Sequence, residues 1–280
     1  HYVVRWQSYK TVSLEQRKQF EKLVEDSINA WTDWLKDYED WPYDHITVKI
    51  VGWAVLDRNC LLDLQPDEVV YDSLISDYDS SGDTSNGYET IPNKLPSAPT
   101  DLSRMEHFMD TNYVYPGERF DMYLWATQGF PSIGGCGGDW GQRLSDDAYL
   151  NIINSGFGIH VLEHELGHGF GLTDFYGGEG EKGGFPPGGF PGGENSLMMA
   201  GSASKITDFD GWMLRYVWSK IRTKAADSRN RIQARMQKIC VRAFLCPNTI
   251  FRGAPQYIPE KLQQAPRHIQ QNMLYYLVYF

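Results

Sequence analysis

Apolar residues recur every three or four positions from residue 14 to residue 38, with charged residues between them. This period is typical of an amphipathic helix with one buried face. Ser13 stands directly before the pattern and Gln16 follows three residues later, as in a capping box. We therefore predict a helix over 14–38 whose buried side carries Phe20, Val24, Ile28, Trp31, Leu35 and Tyr38.

Two runs are rich in β-branched and aromatic residues, and we predict them as strands: HITVKIVGWAVL at 45–56 and FDMYLWAT at 120–127. The polar, acidic stretch between them contains four prolines, which favours loops and short strands.

Helical spacing returns in three further segments, at 145–154, 158–170 and 206–222. Ser145 is the expected N-cap of the first segment, and Gly171 stands where a left-handed residue ends the second. The third has Asp208 near its start and basic residues at its end, which suits the helix dipole.

The chain changes character in its second half. Residues 177–193 read GGEGEKGGFPPGGFPGG, which excludes a helix or a central strand and predicts a long loop. The whole chain carries a net charge of −10, and residues 223–280 carry +7 from nine Lys/Arg and two Asp/Glu, so residues 1–222 carry −17. We predict a domain at 1–222 and a basic C-terminal extension at 223–280. The extension fits either a small subdomain packed on the acidic body or a poorly ordered tail.

Composition limits the class of protein. With 280 residues, 41% of them hydrophobic, the chain can form a sizeable packed core. Its negative net charge argues against a nucleic-acid partner, because such a partner requires a cationic surface. No run of 18 apolar residues is present, so we expect no membrane span.

The four cysteines form no CxxC pair, so we expect no zinc ribbon. Their even number suits two disulfides in an oxidising compartment. We predict that Cys60 pairs with Cys136 and that Cys240 pairs with Cys246. Four free thiols in a cytosolic protein are the alternative.

Metal-binding side chains concentrate in HVLEHELGHGFGLTD, residues 160–174. His164 and His168 are four residues apart, so a helix presents both imidazoles on one face, within reach of one zinc ion. Glu165 lies beside them and is the expected general base, which takes a proton from a metal-activated water. His160 shares the face, but it lies about 12 Å from His168 along the helix axis, so we expect it to pack or to support the ligands.

A catalytic zinc site takes three protein ligands and keeps one position open. The third ligand must therefore come from beyond the helix. Gly171 permits a sharp turn, and Asp174 follows three residues later, so we predict Asp174 as the third ligand. If Asp174 does not bind the metal, the candidates are the acidic residues further along, Glu179, Glu181 and Glu194.

The run HELGHGFGLTD resembles the zinc signature of the metzincin metallopeptidases, in the HExxHxxGxxD form shared by snapalysin-type secreted bacterial peptidases. Residues 196–201, SLMMAG, resemble the Met-turn, with Met198 as the methionine beneath the metal and Met199 as its alternative. Three further stretches, YDHITVKIVGWAV, GGCGGDWGQR and SASKITDFDGWMLRYVWSK, are similar to predicted secreted zinc peptidases of bacteria and fungi, some of them carbohydrate-associated. The resemblance covers residues 1–222.

This resemblance implies an α+β fold with a mixed sheet, an active-site helix at 158–170, a Met-turn and a C-terminal helix. It implies a secreted, monomeric zinc endopeptidase that acts on a protein or peptide. The ligands of its one catalytic zinc would be His164, His168 and Asp174, with Glu165 as the base. The alternative is a non-catalytic, carbohydrate-associated binding module that keeps the fold, but the intact general base favours the enzyme.

One metzincin feature is absent. Some members place a tyrosine just after the Met-turn methionine, whereas this chain has Ala200 and Gly201 there. Tyr176, just past the predicted third ligand, is the candidate to replace that tyrosine in stabilising the transition state.

Three other segments have weaker signals. DYDSSGDTSNG at 77–87 begins like a Ca²⁺ loop but has Tyr88 where the motif needs glutamate, so an acidic solvated loop is favoured. An N-terminal histidine such as His1 can bind copper in polysaccharide monooxygenases, but nothing else here matches that class. GGCGGDWGQRLSDD at 134–147 precedes the predicted helix at 158–170 and is predicted as a rim of the cleft or as an ordered structural loop.

Overall fold

The computed structural model describes residues 1–77, 94–110, 112–130, 134–175, 195–199 and 203–222. The chain divides into two compact units, residues 1–215 and 216–280. In the second unit residues 216–222 are described, and they are helical. None of the helices in the described ranges is long and apolar enough to span a membrane.

A mixed, mostly parallel sheet forms the centre of the first unit. The described strands are β1 (Tyr2–Gln7), β2 (Ile50–Val55), β3 (Val70–Tyr71), β4 (Ile75–Asp77), β5 (Lys94–Pro96), β6 (Met122–Thr127), β7 (Gly135–Gly138) and β8 (Gly141–Ser145). Six of them form one sheet in the order β3-β2-β1-β6-β8-β7, and β4 pairs with β5 separately. All neighbours in the large sheet are parallel except β7 and β8. The predicted mixed α and β architecture is confirmed at this level.

The helices of the first unit are α1 (Leu14–Thr32), α2 (Arg104–His107), α3 (Asp146–Ser155), α4 (Ile159–Gly169) and the helical residues 208–215. The predicted caps are confirmed. Ser13 and Gln16 form a capping box at α1, and the Ser145 side chain accepts a hydrogen bond from Ala148 N–H at α3. The first helix ends earlier than predicted, because a 3₁₀ turn at Asp33–Leu35 and a left-handed Asp37 (φ 55°) follow it.

Aromatic side chains fill the space between the sheet and its helices. Phe20 of α1 packs edge-on against Trp6 and Trp53, with ring centroids 6.0 and 5.3 Å apart, and its centroid is 5.5 Å from that of Tyr149 in α3. Trp6, Phe20 and Tyr149 are fully buried. This packing fixes α1 and α3 on one face of the sheet.

The central strand β1 was not predicted, although three of its side chains, Val3, Val4 and Trp6, are completely buried. It lies between β2 and β6, with both neighbours parallel to it. Conversely, the predicted strand at 45–56 begins at Ile50. Glu25 and Asn29 of α1 accept hydrogen bonds from the N–H groups of Val48 and Ile46, so helix side chains take the place of a neighbouring strand there.

The predicted disulfide between Cys60 and Cys136 is wrong, because both are free thiols. Cys60 follows β2, whereas Cys136 lies in β7, four strands away across the sheet. At about 4.8 Å per strand this separation is about 19 Å, whereas a disulfide needs Cα atoms within about 7 Å. Cys240 and Cys246 lie outside the described residues.

A buried ion pair joins α1 to the chain between β2 and β3. The side chain of Arg17 is 2% exposed and that of Glu68 is 19% exposed. The Arg17 Nε and Nη2 atoms donate to the two Glu68 carboxylate oxygens at 2.6 and 2.7 Å. Arg17 Nη1 also donates to the carbonyl oxygens of Val12 and Leu62. A guanidinium bound on several sides fixes the start of α1 against this segment.

Glu68→Gln is expected to lower the free energy of unfolding by about 2 kcal/mol, because the Arg17 guanidinium loses its charged hydrogen-bond partner. The hydrogen bond from Arg17 lowers the pKa of Glu68. The stabilisation is therefore present above about pH 4.3 and is lost as the pH falls through the lowered pKa. In urea unfolding, the difference between variant and wild type should be large at pH 7 and shrink in acid.

Lys22→Ala is the control for this measurement, since it removes an exposed pair with Asp26 that lies one helical turn away. Such pairs contribute about 0.5 kcal/mol or less. Equal effects of the two substitutions would contradict a stabilising role for the Arg17–Glu68 pair.

Candidate metal centre

Helix α4 and the turn after it carry the predicted ligands. The helix begins after Gly158 (φ 87°) and ends at Gly169, and Gly171 (φ 86°) adopts the left-handed conformation predicted for it. Gly171 N–H donates to the His168 carbonyl and Leu172 N–H donates to the Gly167 carbonyl, so the last turn is closed while the chain reverses. The reversal carries Asp174 back over the helix.

The structure brings the three predicted ligands together. Asp174 Oδ1 lies 3.1 Å from His164 Nε2 and 3.3 Å from His168 Nε2. One ligand atom from each residue lies within 4.8 Å of the other two. The two imidazole rings stand almost perpendicular, at 88°, with centroids 5.0 Å apart. Three donor atoms of the types that zinc prefers therefore converge on one point.

Backbone carbonyl groups fix the orientation of both rings. His164 Nδ1 lies 2.8 Å from the Leu197 carbonyl oxygen, and His168 Nδ1 lies 2.9 Å from that of Leu172. Since a carbonyl oxygen only accepts, each Nδ1 carries the proton and donates it. The neutral form of each ring then has a bare Nε2 lone pair facing Asp174, which is the arrangement that metal-binding histidines adopt.

The spacing of these atoms fits a zinc ion. Ligands about 2.0–2.1 Å from a tetrahedral zinc lie about 3.3 Å from one another, close to the two separations measured from Asp174. Within the described residues, none forms a hydrogen bond of acceptable geometry with the buried Asp174 Oδ1. Two unprotonated nitrogens and a carboxylate oxygen repel one another unless a cation or a proton lies between them. The site therefore fits a divalent cation.

The three side chains shift one another's pKa values because they lie so close together. Burial acts to raise the pKa of Asp174, but the adjacent imidazoles of His164 and His168 outweigh it and hold that pKa far below its usual range. Burial acts to lower the pKa of each histidine, yet Asp174 and the carbonyl acceptors raise both. The carboxylate is thus ionised at neutral pH and is available as an anionic ligand.

Glu165 lies beside the cluster without belonging to it. Its residue is 4% exposed, and its Oε2 is 4.0 Å from His168 Nε2. Burial raises its pKa to about 7. No hydrogen bond to this carboxylate is formed by the residues that the structure describes, so it can accept one from a water near the three ligands.

The glycine-rich segment 134–147 is ordered, and its strand β7 lies against α4. A Cβ atom added at Gly135 would overlap the Glu165 carboxylate, and one added at Gly137 would overlap the Glu165 carbonyl. Cys136 is exposed between these two glycines. The segment thus forms an ordered strand pair beside Glu165, and its role as a rim of a substrate cleft stays a prediction.

Met198 is the methionine that lies at the site. It is fully buried, and a Cβ atom added at Gly167 of α4 would contact its sulfur. Its carbonyl accepts a hydrogen bond from Phe175 N–H, next to Asp174, at 3.0 Å. Met199 is only partly buried, and its N–H closes a turn onto the Ser196 carbonyl. Of the predicted Met-turn, Ala200 and Gly201 lie outside the described residues.

Asp210 supports this turn and was missed in the sequence. Its residue is fully buried, and its carboxylate accepts hydrogen bonds from Ser196, Leu197 and Thr207. The signal available was Thr207, with an acidic residue three positions later, which is a capping-box pattern at the start of the helical residues 208–215.

The other predicted candidates lie elsewhere. His160 is partly buried one turn before His164 and is not in the ligand group. The His1 amino group pairs with Asp121 at 2.7 Å. Outside the described residues are Tyr176, the substitute ligands Glu179, Glu181 and Glu194, the loop 177–193, the extension 223–280 and nearly all of the possible Ca²⁺ loop.

Comparisons of this chain with protein-family models, curated proteins and solved structures gave no match. Its activity must therefore be inferred from the site and the fold.

His164→Ala and His168→Ala are each expected to weaken zinc binding at least about 100-fold, because each removes one of three ligands. The purified wild-type protein should contain one zinc per chain by elemental analysis, with an anomalous scattering peak at the zinc edge between the three side chains. His160→Ala is the control on the same face of α4 and should keep its zinc. Equal metal loss in all three variants would contradict the assigned ligand set.

Proposed function

We propose that this protein is a secreted zinc endopeptidase that hydrolyses peptide bonds with Glu165 as the general base. One observation carries the proposal: the buried Glu165 carboxylate lies 4.0 Å from His168 Nε2, next to three converging ligand atoms. A site that only stores zinc, or a pure binding module, has no need of such a base. Catalytic zinc sites combine these parts, with three protein ligands and one open position.

We also propose that the fold is of the metzincin type. Its support is the arrangement of the mixed sheet, the helix with both histidines, the reversal at Gly171 and the buried Met198 beneath that helix. Asp174 as third ligand would match the HExxHxxGxxD form of the snapalysin-type peptidases, which this sequence resembles.

In the mechanism, the residues of this chain hold the reactants and move one proton. A zinc ion held by His164, His168 and Asp174 would supply Lewis-acid activation of a water and of the scissile carbonyl. Glu165 accepts a proton from the attacking water and later donates it to the nitrogen of the leaving amine. Burial favours this exchange, since it raises the pKa of Glu165 to about 7 and lets it hold the proton between the two steps.

The expected substrate is a protein or peptide, and the expected form of the enzyme is a secreted monomer. The net charge of −10 makes nucleic acid an unsuitable partner.

Glu165→Gln is expected to reduce kcat for casein or gelatin hydrolysis by about 10²–10⁴-fold, because a general base contributes about that much. The variant should still bind one zinc, since Glu165 is not in the ligand group. A chelator should abolish the wild-type activity, and added zinc should restore it. Glu163→Gln makes the same chemical change two residues earlier on α4 and is the control expected to retain activity.

Hydrolysis that survives both the chelator and Glu165→Gln would eliminate the zinc mechanism. A protein that binds zinc but cleaves no peptide, and instead binds polysaccharide, would favour the non-catalytic module.

The pH–rate profile should fall on its acid side, because only the ionised Glu165 accepts a proton. Burial raises the pKa of this group, and the charge of a bound cation opposes the rise. An anionic third ligand leaves the water less acidic than a third histidine would. We therefore expect a maximum near neutral pH or above, measured as kcat/KM on a peptide substrate, and a maximum below about pH 5 would be inconsistent with this base.

A further inference from the structure

An unbroken series of hydrogen bonds leads from Asp210 to the metal centre. The Ser196 hydroxyl donates to Asp210 Oδ1, and Met198 N–H donates to Ser196 Oγ at 3.0 Å. His164 Nδ1 donates to the Leu197 carbonyl oxygen at 2.8 Å. The Leu197 carbonyl and the Met198 N–H are the two ends of one peptide group. The carboxylate is therefore linked to the imidazole through one hydroxyl and one peptide.

Asp210 is a strong anchor for this series because its residue is fully buried. Its oxygens also accept from Leu197 N–H at 3.0 Å, from Thr207 N–H at 2.8 Å and from the Thr207 hydroxyl at 2.7 Å. No ion pair to Asp210 is formed within the described part of the chain. Its negative charge is thus stabilised by hydrogen-bond donors, among them the Ser196 hydroxyl.

In a buried site of low dielectric constant, each hydrogen bond polarises the next. The Asp210 charge draws the Ser196 proton and makes Ser196 Oγ a better acceptor for Met198 N–H. That bond polarises the peptide and leaves more negative charge on the Leu197 carbonyl oxygen. A stronger acceptor at Nδ1 fixes the His164 ring and makes its Nε2 more basic, as carboxylates do when they contact a metal-binding histidine directly.

The second histidine provides an internal comparison. His168 Nδ1 donates to the Leu172 carbonyl at 2.9 Å, in the turn that follows its own helix. Leu172 is four residues from His168, whereas Leu197 is 33 residues from His164. His168 is thus oriented by the backbone of its own segment. His164 is oriented by the backbone of a distant segment, which the buried Asp210 carboxylate anchors.

We propose that Asp210 is a positioning residue that strengthens zinc binding by His164, acting through Ser196 and the Leu197–Met198 peptide. The inference rests on the proposed function only in that the bound ion is zinc. It assigns to Asp210 a role in the affinity of the site beyond holding the turn in place.

The test compares Asp210→Asn and Ser196→Ala with Thr207→Ala. The first two remove the charge and the hydroxyl link, respectively. The third removes another hydroxyl bound to the same carboxylate, on the side that does not lead to His164. Zinc Kd is measured on each full-length apo protein by competition with a fluorescent zinc chelator. Thermal unfolding of the apo proteins reports stability, and the absorption spectrum of the Co²⁺ form reports ligand geometry.

Asp210→Asn is expected to raise the zinc Kd about 10- to 100-fold, and Ser196→Ala about tenfold, with a changed Co²⁺ spectrum in both. Thr207→Ala should keep Kd within about twofold of wild type while lowering the unfolding temperature about as much as Ser196→Ala. If Asp210 only stabilised the turn, variants with similar losses of stability would show similar losses of zinc affinity.

Zinc affinities of Asp210→Asn and Ser196→Ala within about twofold of wild type would overturn the inference and leave the peptidase proposal intact. An equal loss of affinity in Thr207→Ala would also overturn it, because general loosening of the turn would then suffice. If Asp210→Asn does not fold, the zinc Kd of Ser196→Ala compared with that of Thr207→Ala tests the inference. A wild-type protein that binds no zinc would instead overturn the proposed function itself.

Discussion

The reversal of the chain after α4 is the constraint on which the candidate site depends. Gly171 has φ 86°, a conformation that costs an L-amino acid with a side chain free energy and costs glycine almost nothing. Two backbone hydrogen bonds onto the end of the helix hold the reversal. Because of it, Asp174 returns to within 3.3 Å of both imidazoles instead of continuing away from the helix.

Burying Asp174 beside the two imidazoles costs free energy, and the surrounding packing holds the three side chains in place. Buried acceptors that face one another lose hydration without gaining a hydrogen bond, so they need a cation or a proton between them to compensate. The carbonyl groups of Leu172 and Leu197 hold the rings in that position. Glycines at the contacts with α4 allow the Met198 sulfur and strand β7 to approach more closely than any side chain would permit.

The carbonyl acceptors that orient the two histidines come from different places: one from the turn after α4, the other from a segment further along the chain. The turn at Leu172 belongs to the same local segment as His168, so it forms whenever α4 and its C-terminal reversal form. The turn at Leu197 reaches His164 from a separate segment, and Asp210 in the following helix accepts hydrogen bonds from it. The orientation of the His164 ring is thereby coupled to the packing of residues far along the chain.

Local sequence determined the helices, their caps and the ligand types. Ser13 and Ser145 predict their helix starts because a capping side chain bonds within its own first turn. The spacing of His164, His168, Gly171 and Asp174 specifies a possible site for the same reason. Only the tertiary structure decided that β1 is central, that Cys60 and Cys136 are too far apart to pair, and that Asp210 supports the Met198 turn. These facts depend on contacts between segments distant in sequence; a local pattern such as the capping signal at Thr207 marks a helix start but not the distant segment that packs against it.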